Sequence, residues 1–339
     1  MKKNITKILA AVMCLVMVFA FTACGSDNSG SDNSDLTKIT FCLDWTPNTN
    51  HTGLYVALAN GYYEEAGLDV QIVQPPENGA TEMCAAGQAQ FAVEAQDTLA
   101  AAYDIDEPMG VTTVAAILQH NTSCIMSRAG EGMDKPEGLT GKTYSTWDSP
   151  IELAMIKHVV EADGGDYDKI NLISNNITDE PAALAANQTD AIWVFYGWGG
   201  INADVEDVPV DTWFFGDVAP ELDYYTPVII ANDAFLEESP EVAKTFMEAT
   251  AKGYEYAAAN PEEAADILIA GDETGSLAGS EDLVKKSQEW ISQQYIADAP
   301  SWGFIDEARW NDFYGWLYDN KLTKHDLKGV GFTNDYLPQ

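Results

Sequence analysis

Hydrophobic positions along the chain alternate between short β-branched runs and longer segments with helical spacing. The short runs predict strands at 38–44, 69–74, 90–94, 111–118, 142–145, 169–174, 191–195 and 225–231. The helical segments, several of them bounded by proline or glycine, are 53–63, 78–86, 98–103, 150–163, 181–187, 240–260, 261–270, 281–294 and 306–320. Strands that alternate with helices indicate α/β architecture, with mostly parallel sheets covered on both faces.

This series of elements divides into two parts, and the second begins near Arg128. The four closing helices need a surface to cover, so the most economical topology returns the chain to the first lobe. We therefore predict one lobe from 37–125 and 230–339 and a second lobe from 126–229. Two crossings, near 123–128 and 229–233, would join them. Ligands of open α/β sheets bind beyond the carboxyl ends of the strands, so a cleft between the lobes is expected there.

The first 24 residues have the features of an export signal. Lys2, Lys3 and Lys7 give a positive start, and the apolar run 8–21 is too short to span a bilayer. The run ends at Phe-Thr-Ala-Cys, which looks like a bacterial lipobox with Cys24 as the lipidated residue. We predict a signal peptide at 1–23.

The segment after Cys24 contains only Ser, Asp, Asn and Gly up to Asp35. It has no large apolar side chain to bury, and this composition predicts a flexible tether at 24–36. A diacylated cysteine would anchor the protein stably. The expected location is extracytoplasmic, on the cell membrane.

Charge and cysteine content narrow the range of partners. The chain has 17 Lys and Arg against 54 Asp and Glu, a net charge of −37, which argues against nucleic acid or an anionic surface as a partner. Beyond Cys24 only Cys42, Cys84 and Cys124 remain, so at most one internal disulfide is possible. The four histidines are scattered along the sequence and do not indicate a metal site. The sequence predicts neither a metal nor a cofactor.

Aromatic, amide and acidic residues are concentrated just after the predicted strands. Rings stack on planar ligands, and amides or carboxylates can hydrogen-bond to the edge of a heterocycle. The chain has only two arginines, Arg128 and Arg309, and neither follows a strand in this way, which disfavours a sulfonate or nitrate. A small uncharged or weakly cationic heteroaromatic ligand fits better. The candidate ligand-binding residues are Trp45, Asn48, His51, Glu94, Gln119, Trp147, Tyr196, Trp198 and Tyr224.

The segment 44–57, DWTPNTNHTGLYVA, together with GYYEEAGL at 61–68, resembles the thiamine-pyrimidine-precursor binding proteins of ABC importers. These proteins belong to the wider NMT1/THI5-like group. The resemblance continues through QHNTS, GKTY, WVFYGW, DYYTPV and TAKGYEYA to the final FTN, and so covers nearly all of the chain after the tether.

The resemblance implies a type II periplasmic-binding fold, a pyrimidine ring held between aromatic residues, and delivery to a membrane permease with its ATPase. On matching positions it points to Trp45, Asn48, His51, Tyr196, Trp198 and Tyr224. Binding proteins of this group often have an acidic residue where this chain has Gly199. This departure leaves the identity of the ring open.

We therefore expect a monomeric solute-binding lipoprotein, not an enzyme, with formylaminopyrimidine or hydroxymethylpyrimidine as cargo. Another ring such as riboflavin, or a role as a ligand sensor, is the alternative. A pyrimidine-forming enzyme of the THI5 kind is disfavoured by the export signal and by the lack of that group's cysteine-rich iron motif.

Overall fold

The computed structural model describes residues 36–174 and 177–338. The predicted signal peptide, the lipidation of Cys24 and nearly all of the predicted tether lie outside the described residues and stay predictions. Among the described residues, no helix combines the length and the apolar composition needed to cross a bilayer.

The first of two sheets contains strands β1 (Thr37–Cys42), β2 (Leu68–Val73), β3 (Phe91–Glu94), β4 (Val111–Ala116) and β10 (Val228–Asn232). Their order is β2-β1-β3-β10-β4. β1 is parallel to β2 and β3, whereas β10 is antiparallel to β3 and β4. The carboxyl ends of β1 and β3 therefore lie at the same edge as the start of β10, where Val228 pairs with Glu94.

The second sheet repeats this arrangement with strands β5 (Ser123–Arg128), β6 (Thr143–Thr146), β7 (Asn171–Ser174), β8 (Ala191–Phe195) and β9 (Val210–Phe214). Their order is β7-β6-β8-β5-β9. β6 is parallel to β7 and β8, and β5 is antiparallel to β8 and β9. The sequence predicted every strand of this sheet except β5 and β9.

Two segments carry the chain between the sheets. Strand β5 lies wholly in the second sheet and β10 wholly in the first, so the chain crosses within 117–122 and again within 215–227. The predicted lobe boundaries at 125/126 and 229/230 fall inside these two strands. The division into lobes stays a prediction, and the sheets move its crossing points a few residues towards the N-terminus. Strand β10 starts only after Pro227, which has no N–H to donate to a neighbouring strand.

Helices cover both sheets. They are α1 (Thr52–Ala59), α2 (Tyr62–Glu65), α3 (Ala80–Ala85), α4 (Gln96–Tyr103), α5 (Pro150–Ala162), α6 (Glu180–Ala185), α7 (Ile201–Val205), α8 (Phe215–Val218), α9 (Asp233–Glu238), α10 (Pro240–Ala259), α11 (Pro261–Gly271), α12 (Glu281–Ile291) and α13 (Glu307–Asp319). The single helix predicted at 53–63 is two, because Gly61 adopts a left-handed conformation with φ of 74° between α1 and α2.

The core of the first lobe is built around stacked aromatic rings. Phe246 of α10 stacks on Phe91 of β3 at 4.2 Å and on Tyr63 of α2 at 5.3 Å between ring centroids. α10 also crosses α1 closely enough that a Cβ at Gly253 would lie 2.0 Å from the Gly53 carbonyl oxygen. Helix α10, the first of the four closing helices, therefore packs against the first sheet.

Candidate ligand-binding site

The loop after β1 holds three of the predicted residues. Two of them hold the loop in place by hydrogen bonds, and the third is an exposed aromatic ring. The His51 side chain is buried, and its Nε2 lies 2.8 Å from Asp44 Oδ1. The Asn48 backbone N–H donates to His51 Nδ1 at 3.2 Å, so the proton of the neutral ring is on Nε2 and points at Asp44. The Asn48 side chain accepts from the Asn50 N–H and caps the short 3-10 turn 49–51. Trp45, in contrast, is 69% exposed.

Glu94 ends strand β3 at the same edge of the sheet. Its Oε2 accepts from the Thr81 hydroxyl at 2.6 Å, and its Oε1 accepts from the Ala95 N–H at 3.0 Å. Burial raises the pKa of Glu94 to about 7, opposed by these two hydrogen bonds and assisted by the negative charges of Asp44 and Asp97. This carboxyl group is therefore poised to be protonated near neutral pH.

Asp97 and Tyr224 lie beside this position. Burial raises the pKa of Asp97 to about 6, although N–H groups at the start of α4 and a hydrogen bond with Tyr224 favour its ionised form. Tyr224 is buried, and its ring stacks on Phe313 at 4.1 Å with an interplanar angle of 19°. The stack on Phe313 thus fixes the Tyr224 ring, and the Tyr224 hydroxyl hydrogen-bonds to Asp97.

Gln119 lies in the first crossing and is buried. Its carbonyl oxygen accepts from the Arg309 guanidinium, and its N–H donates to the Gln294 carbonyl at 3.1 Å. Its side-chain Nε2 is buried with no hydrogen-bond partner among the described residues. An amide donor of this kind can serve a ligand.

Trp147 is the second exposed ring, and it follows strand β6 of the second sheet. It is 55% exposed and tilts against Trp193 at 5.6 Å between ring centroids. The buried carboxylate of Glu152 fixes its loop by accepting from the Tyr144 hydroxyl at 2.7 Å, the Thr146 hydroxyl at 2.9 Å and the Trp147 N–H at 3.0 Å. Sequence reasoning missed Glu152, although its place three residues after Ser149 at the start of a helix has the capping-box spacing.

Tyr196 and Trp198 lie in the π-helical turn Tyr196–Gly200, and both contact other side chains of the protein. Tyr196 lies 5.3 Å from Phe214 and 5.1 Å from Trp290 between ring centroids. Trp198 packs against a cluster that includes Tyr55 and Leu268 from helices α1 and α11. This turn of the second sheet therefore packs against helices α1, α11 and α12.

A cavity of about 430 Å³ opens beside this turn, at the crossings. None of the nine predicted residues lines it. Its walls include His120, Asp223, Phe214 and Trp290, and the last two are the rings that flank Tyr196. The exposed tryptophans and the perturbed carboxyl groups lie at the strand ends instead, so we place the candidate site there and not in the cavity.

The strand ends carry negative charge without a matching cation. Asp44 pairs with His51, and within 36–174 and 177–338 no lysine or arginine lies within ion-pair distance of Asp44, Glu94 or Asp97. The three remaining cysteines are free thiols buried in the protein. The arrangement suits a flat ligand with hydrogen-bond donors on its edge.

Comparisons with known proteins agree with this architecture. The model of the family described as NMT1/THI5 like matches residues 48–264. A formylaminopyrimidine-binding protein from Halalkalibacterium halodurans is 30% identical, covering 90% of this chain and 92% of its own. A protein from Saccharomyces cerevisiae named 4-amino-5-hydroxymethyl-2-methylpyrimidine phosphate synthase THI13 is 25% identical, covering 66% of this chain and 68% of its own.

Among solved structures, the alkanesulfonate-binding protein SsuA from Xanthomonas axonopodis pv. citri bound to MOPS matches with a TM-score of 0.64 and 11% identity. The match covers 88% of this chain and 99% of that one. The fold is the two-lobed α/β fold of periplasmic binding proteins, as the sequence predicted. The chain belongs to the NMT1/THI5-like family, and the resemblance noted in its sequence is confirmed.

Proposed function

We propose that this protein is the extracytoplasmic solute-binding component of an ABC importer. Its cargo is a small heteroaromatic thiamine pyrimidine precursor, of the formylaminopyrimidine or hydroxymethylpyrimidine type, which it delivers to a permease driven by an ATPase subunit. It works as a monomer, and a lipid on Cys24 tethers it to the cell membrane.

The observation that carries this proposal is the pair of exposed tryptophans, one at the strand ends of each sheet. Trp45 and Trp147 are 69% and 55% exposed, whereas most other tryptophans of the described chain are buried in aromatic clusters. Exposed aromatic rings can stack on a planar ligand, which adds a favourable contact beyond the burial of apolar area. A planar ring between them would make such contacts with both lobes.

Each of the nine predicted residues has a role in the proposed site. Trp45 and Trp147 stack on the ring, while Glu94 and Gln119 meet its edge. Asn48 and His51 hold the Trp45 loop, and Tyr224 orients Asp97. The π-helical turn that contains Tyr196 and Trp198 sets the distance between the lobes.

The relative named as a binding protein supports this reading over an enzymatic one. It aligns with nine-tenths of the chain at 30% identity, whereas the synthase from yeast aligns with two-thirds at 25%. The similarity to a binding protein is therefore longer and stronger than the similarity to a synthase, which supports a role in transport.

A thermal-shift screen of the purified protein tests the proposal. The panel contains formylaminopyrimidine, 4-amino-5-hydroxymethyl-2-methylpyrimidine and riboflavin. A ligand at 100 times its Kd stabilises the folded state by about 2.7 kcal/mol. We expect this stabilisation with at least one aminopyrimidine. Stabilisation by riboflavin alone would show that the cargo is riboflavin and not an aminopyrimidine. If no ring stabilises the protein, a heteroaromatic-binding function is contradicted.

A further inference from the structure

The cavity at the crossings is a separate place from the strand ends that carry the exposed tryptophans. Trp147 follows β6, whereas Phe214, which lines the cavity, ends β9. Three strand intervals separate β6 from β9, which puts these two strand ends about 14 Å apart at the usual spacing of neighbouring strands. The cavity volume of about 430 Å³ lies within the ~300–1,000 Å³ range of small-molecule pockets. The cavity therefore has room for a second molecule beside the cargo.

The walls of this cavity come from three segments of the chain. The first crossing contributes residues 120–122, the second contributes Asp217 and Asp223, and α12 with the residues after it contributes Trp290 and Gln294. A molecule in the cavity would therefore contact both segments that join the two sheets.

One part of the wall is already fixed by its own hydrogen bonds. The Asn121 side chain donates to the Leu222 carbonyl at 2.8 Å and accepts from the Ser123 N–H at 2.9 Å. The Asp223 carboxylate accepts from the Asn121 N–H at 2.8 Å and lies 2.7 Å from His120 Nδ1. These groups form a rigid frame and have little hydrogen-bonding capacity left for a ligand.

The other polar lining groups are free to serve a ligand. Thr122 is only 5% exposed, and its hydroxyl makes no hydrogen bond to any described residue. The side-chain amide of Gln294 and the indole N–H of Trp290 likewise have no partner within 36–174 and 177–338. Buried polar groups are nearly always hydrogen-bonded, so a buried hydroxyl without a partner at a cavity wall marks a position for a ligand atom.

The charge around the cavity is negative. Asp217 lines it, and no lysine, arginine or histidine of the described chain lies within ion-pair distance of this carboxylate. Asp223 and Asp298 share His120, and Arg309 approaches Asp223 at 3.6 Å. Three carboxylates thus face at most two cations, which favours a positively charged ligand.

Two aromatic rings complete the wall. They belong to Phe214 and Trp290, the residues that flank Tyr196. Aromatic faces attract both apolar groups and organic cations, and the indole of tryptophan does so most strongly. A ligand with a cationic group on an apolar body would use both properties of the cavity.

We propose that the cavity at the crossings is a second binding site, for a small organic ammonium ion. The Asp217 carboxylate holds the ammonium group, and the rings of Phe214 and Trp290 contact the apolar body. Thr122 and Gln294 supply the hydrogen bonds. The site does not depend on the proposed function, because none of the nine residues assigned to the cargo lines it.

Isothermal titration calorimetry of the full-length mature protein at pH 7 tests this proposal with three probes of matched size. They are 2-phenylethylammonium, the neutral 2-phenylethanol and the anionic 3-phenylpropionate. The ammonium ion should bind at one site per chain, the alcohol should bind about 10-fold more weakly, and the carboxylate should give no measurable heat. Equal affinity for all three probes, or no binding of the ammonium ion, would overturn the proposal.

Variants of the wall then locate the site. Asp217→Asn should weaken binding of 2-phenylethylammonium about 2- to 5-fold, as for an exposed ion pair, and Trp290→Leu should weaken it about 10-fold. Asp168→Asn, which removes the same charge from an exposed position before β7, is the control and should bind as the wild type does. Because Asp217 is exposed, its variant should fold even if Trp290→Leu does not. Wild-type affinity in Asp217→Asn would contradict the assignment.

The Trp45→Ala, Trp147→Ala double variant separates this site from the proposed cargo site. It should bind 2-phenylethylammonium with wild-type affinity, since neither ring lines the cavity. Loss of ammonium binding in the double variant would place the probe at the strand ends and overturn the second site. A protein that binds the ammonium ion but no pyrimidine would instead contradict the proposed function and leave the second site intact.

Discussion

Around Trp45, neighbouring side chains serve opposite purposes. His51 has both ring nitrogens engaged by its own loop and no exposed surface, so it positions the loop. Trp45 has most of its surface in solvent. Removal of His51 should therefore affect folding of the loop, and removal of Trp45 should affect only what the loop binds.

The exposed tryptophans give the first residue-scale prediction. Trp45→Ala and Trp147→Ala should each weaken binding of the cargo about 10-fold or more, since stacking of a ring contributes ~0.5–1.5 kcal/mol beyond its apolar area. The free energy of unfolding should change little, because both rings are largely exposed. Calorimetry and urea denaturation measure the two effects. Tyr318→Ala, an exposed ring of α13, is the control and should bind normally; unchanged binding in both tryptophan variants would place the ligand elsewhere.

The second residue-scale prediction concerns Glu152. Glu152→Ala leaves the Tyr144 and Thr146 hydroxyls and the Trp147 N–H without their buried acceptor, which should destabilise the protein by about 2–4 kcal/mol. Urea denaturation measures this change. Glu161→Ala, exposed on the same helix, should cost under about 0.5 kcal/mol. Equal effects of the two substitutions would refute the role assigned to Glu152.

At this scale, the sequence indicated which residues follow strands but not which of them are free. Trp45 and His51 are six positions apart in one loop, and from the sequence alone both look equally able to contact a ligand. Only the loop's own hydrogen bonds show that one is an internal support. Glu152 was missed although β6 and α5 are neighbours in the sequence, because only the structure shows that its carboxylate accepts from the Tyr144 and Thr146 hydroxyls.

Among the elements, helices α1 and α10 cross at close range. Gly253→Ala would place a methyl group 2.0 Å from the Gly53 carbonyl oxygen and 2.9 Å from Ala57 Cβ. Forced separation of the helices should cost about 1–3 kcal/mol. Thermal unfolding measures it, with Lys252→Ala, exposed on the same helix, as control. A Gly253→Ala protein as stable as the wild type would show that the helices do not cross this closely.

The prediction of elements succeeded where apolar runs are continuous and missed strands β5 and β9 of the second sheet. Strand β9 reads Val-Asp-Thr-Trp-Phe and is only half buried, so its polar positions hide it in the sequence. Strand β5 was read as a crossing because its register with β8 and β9 depends on pairings distant in sequence. Central strands such as β3 and β8 were found because they are buried and their runs are apolar.

On the scale of the whole molecule, three chain segments meet at His120. Its Nδ1 lies 2.7 Å from Asp223 Oδ2 in the second crossing, and its Nε2 lies 3.0 Å from Asp298 Oδ1 after α12. Arg309 also approaches Asp223, at 3.6 Å. Only a doubly protonated imidazole donates to both carboxylates, and the hydrogen bond to Asp223 is the main cause that raises the pKa of His120.

This cluster should make stability depend on pH. A raised folded-state pKa gives stabilisation that is complete below the unfolded value of 6.5 and is lost as pH rises through the folded value. Wild type should exceed His120→Gln in free energy of unfolding by more at pH 5.5 than at pH 9. The difference should stay below about 1 kcal/mol, because the group is partly exposed. Urea denaturation at both pH values measures it, and an equal difference at both would contradict a charged His120.

The two-lobed fold was predictable because strand and helix patterns alternate and the last helices need a sheet to cover. The exact crossings were not, because a strand and an extended crossing look alike until partners are known. The charge of the site was predictable only in part: the scarcity of arginine is visible in the sequence, but the burial that raises the pKa of Glu94 comes from the fold.

Titration of the purified protein with formylaminopyrimidine by isothermal calorimetry, for the wild type and for the Trp45→Ala, Trp147→Ala double variant, tests the central claim most directly. We predict one site per chain with a Kd of micromolar or tighter, corresponding to about −8 kcal/mol or better, and loss of measurable binding in the double variant. No heat of binding in the wild type, or equal affinity of the two proteins, would contradict the assignment of this fold and these rings to capture of a heteroaromatic cargo.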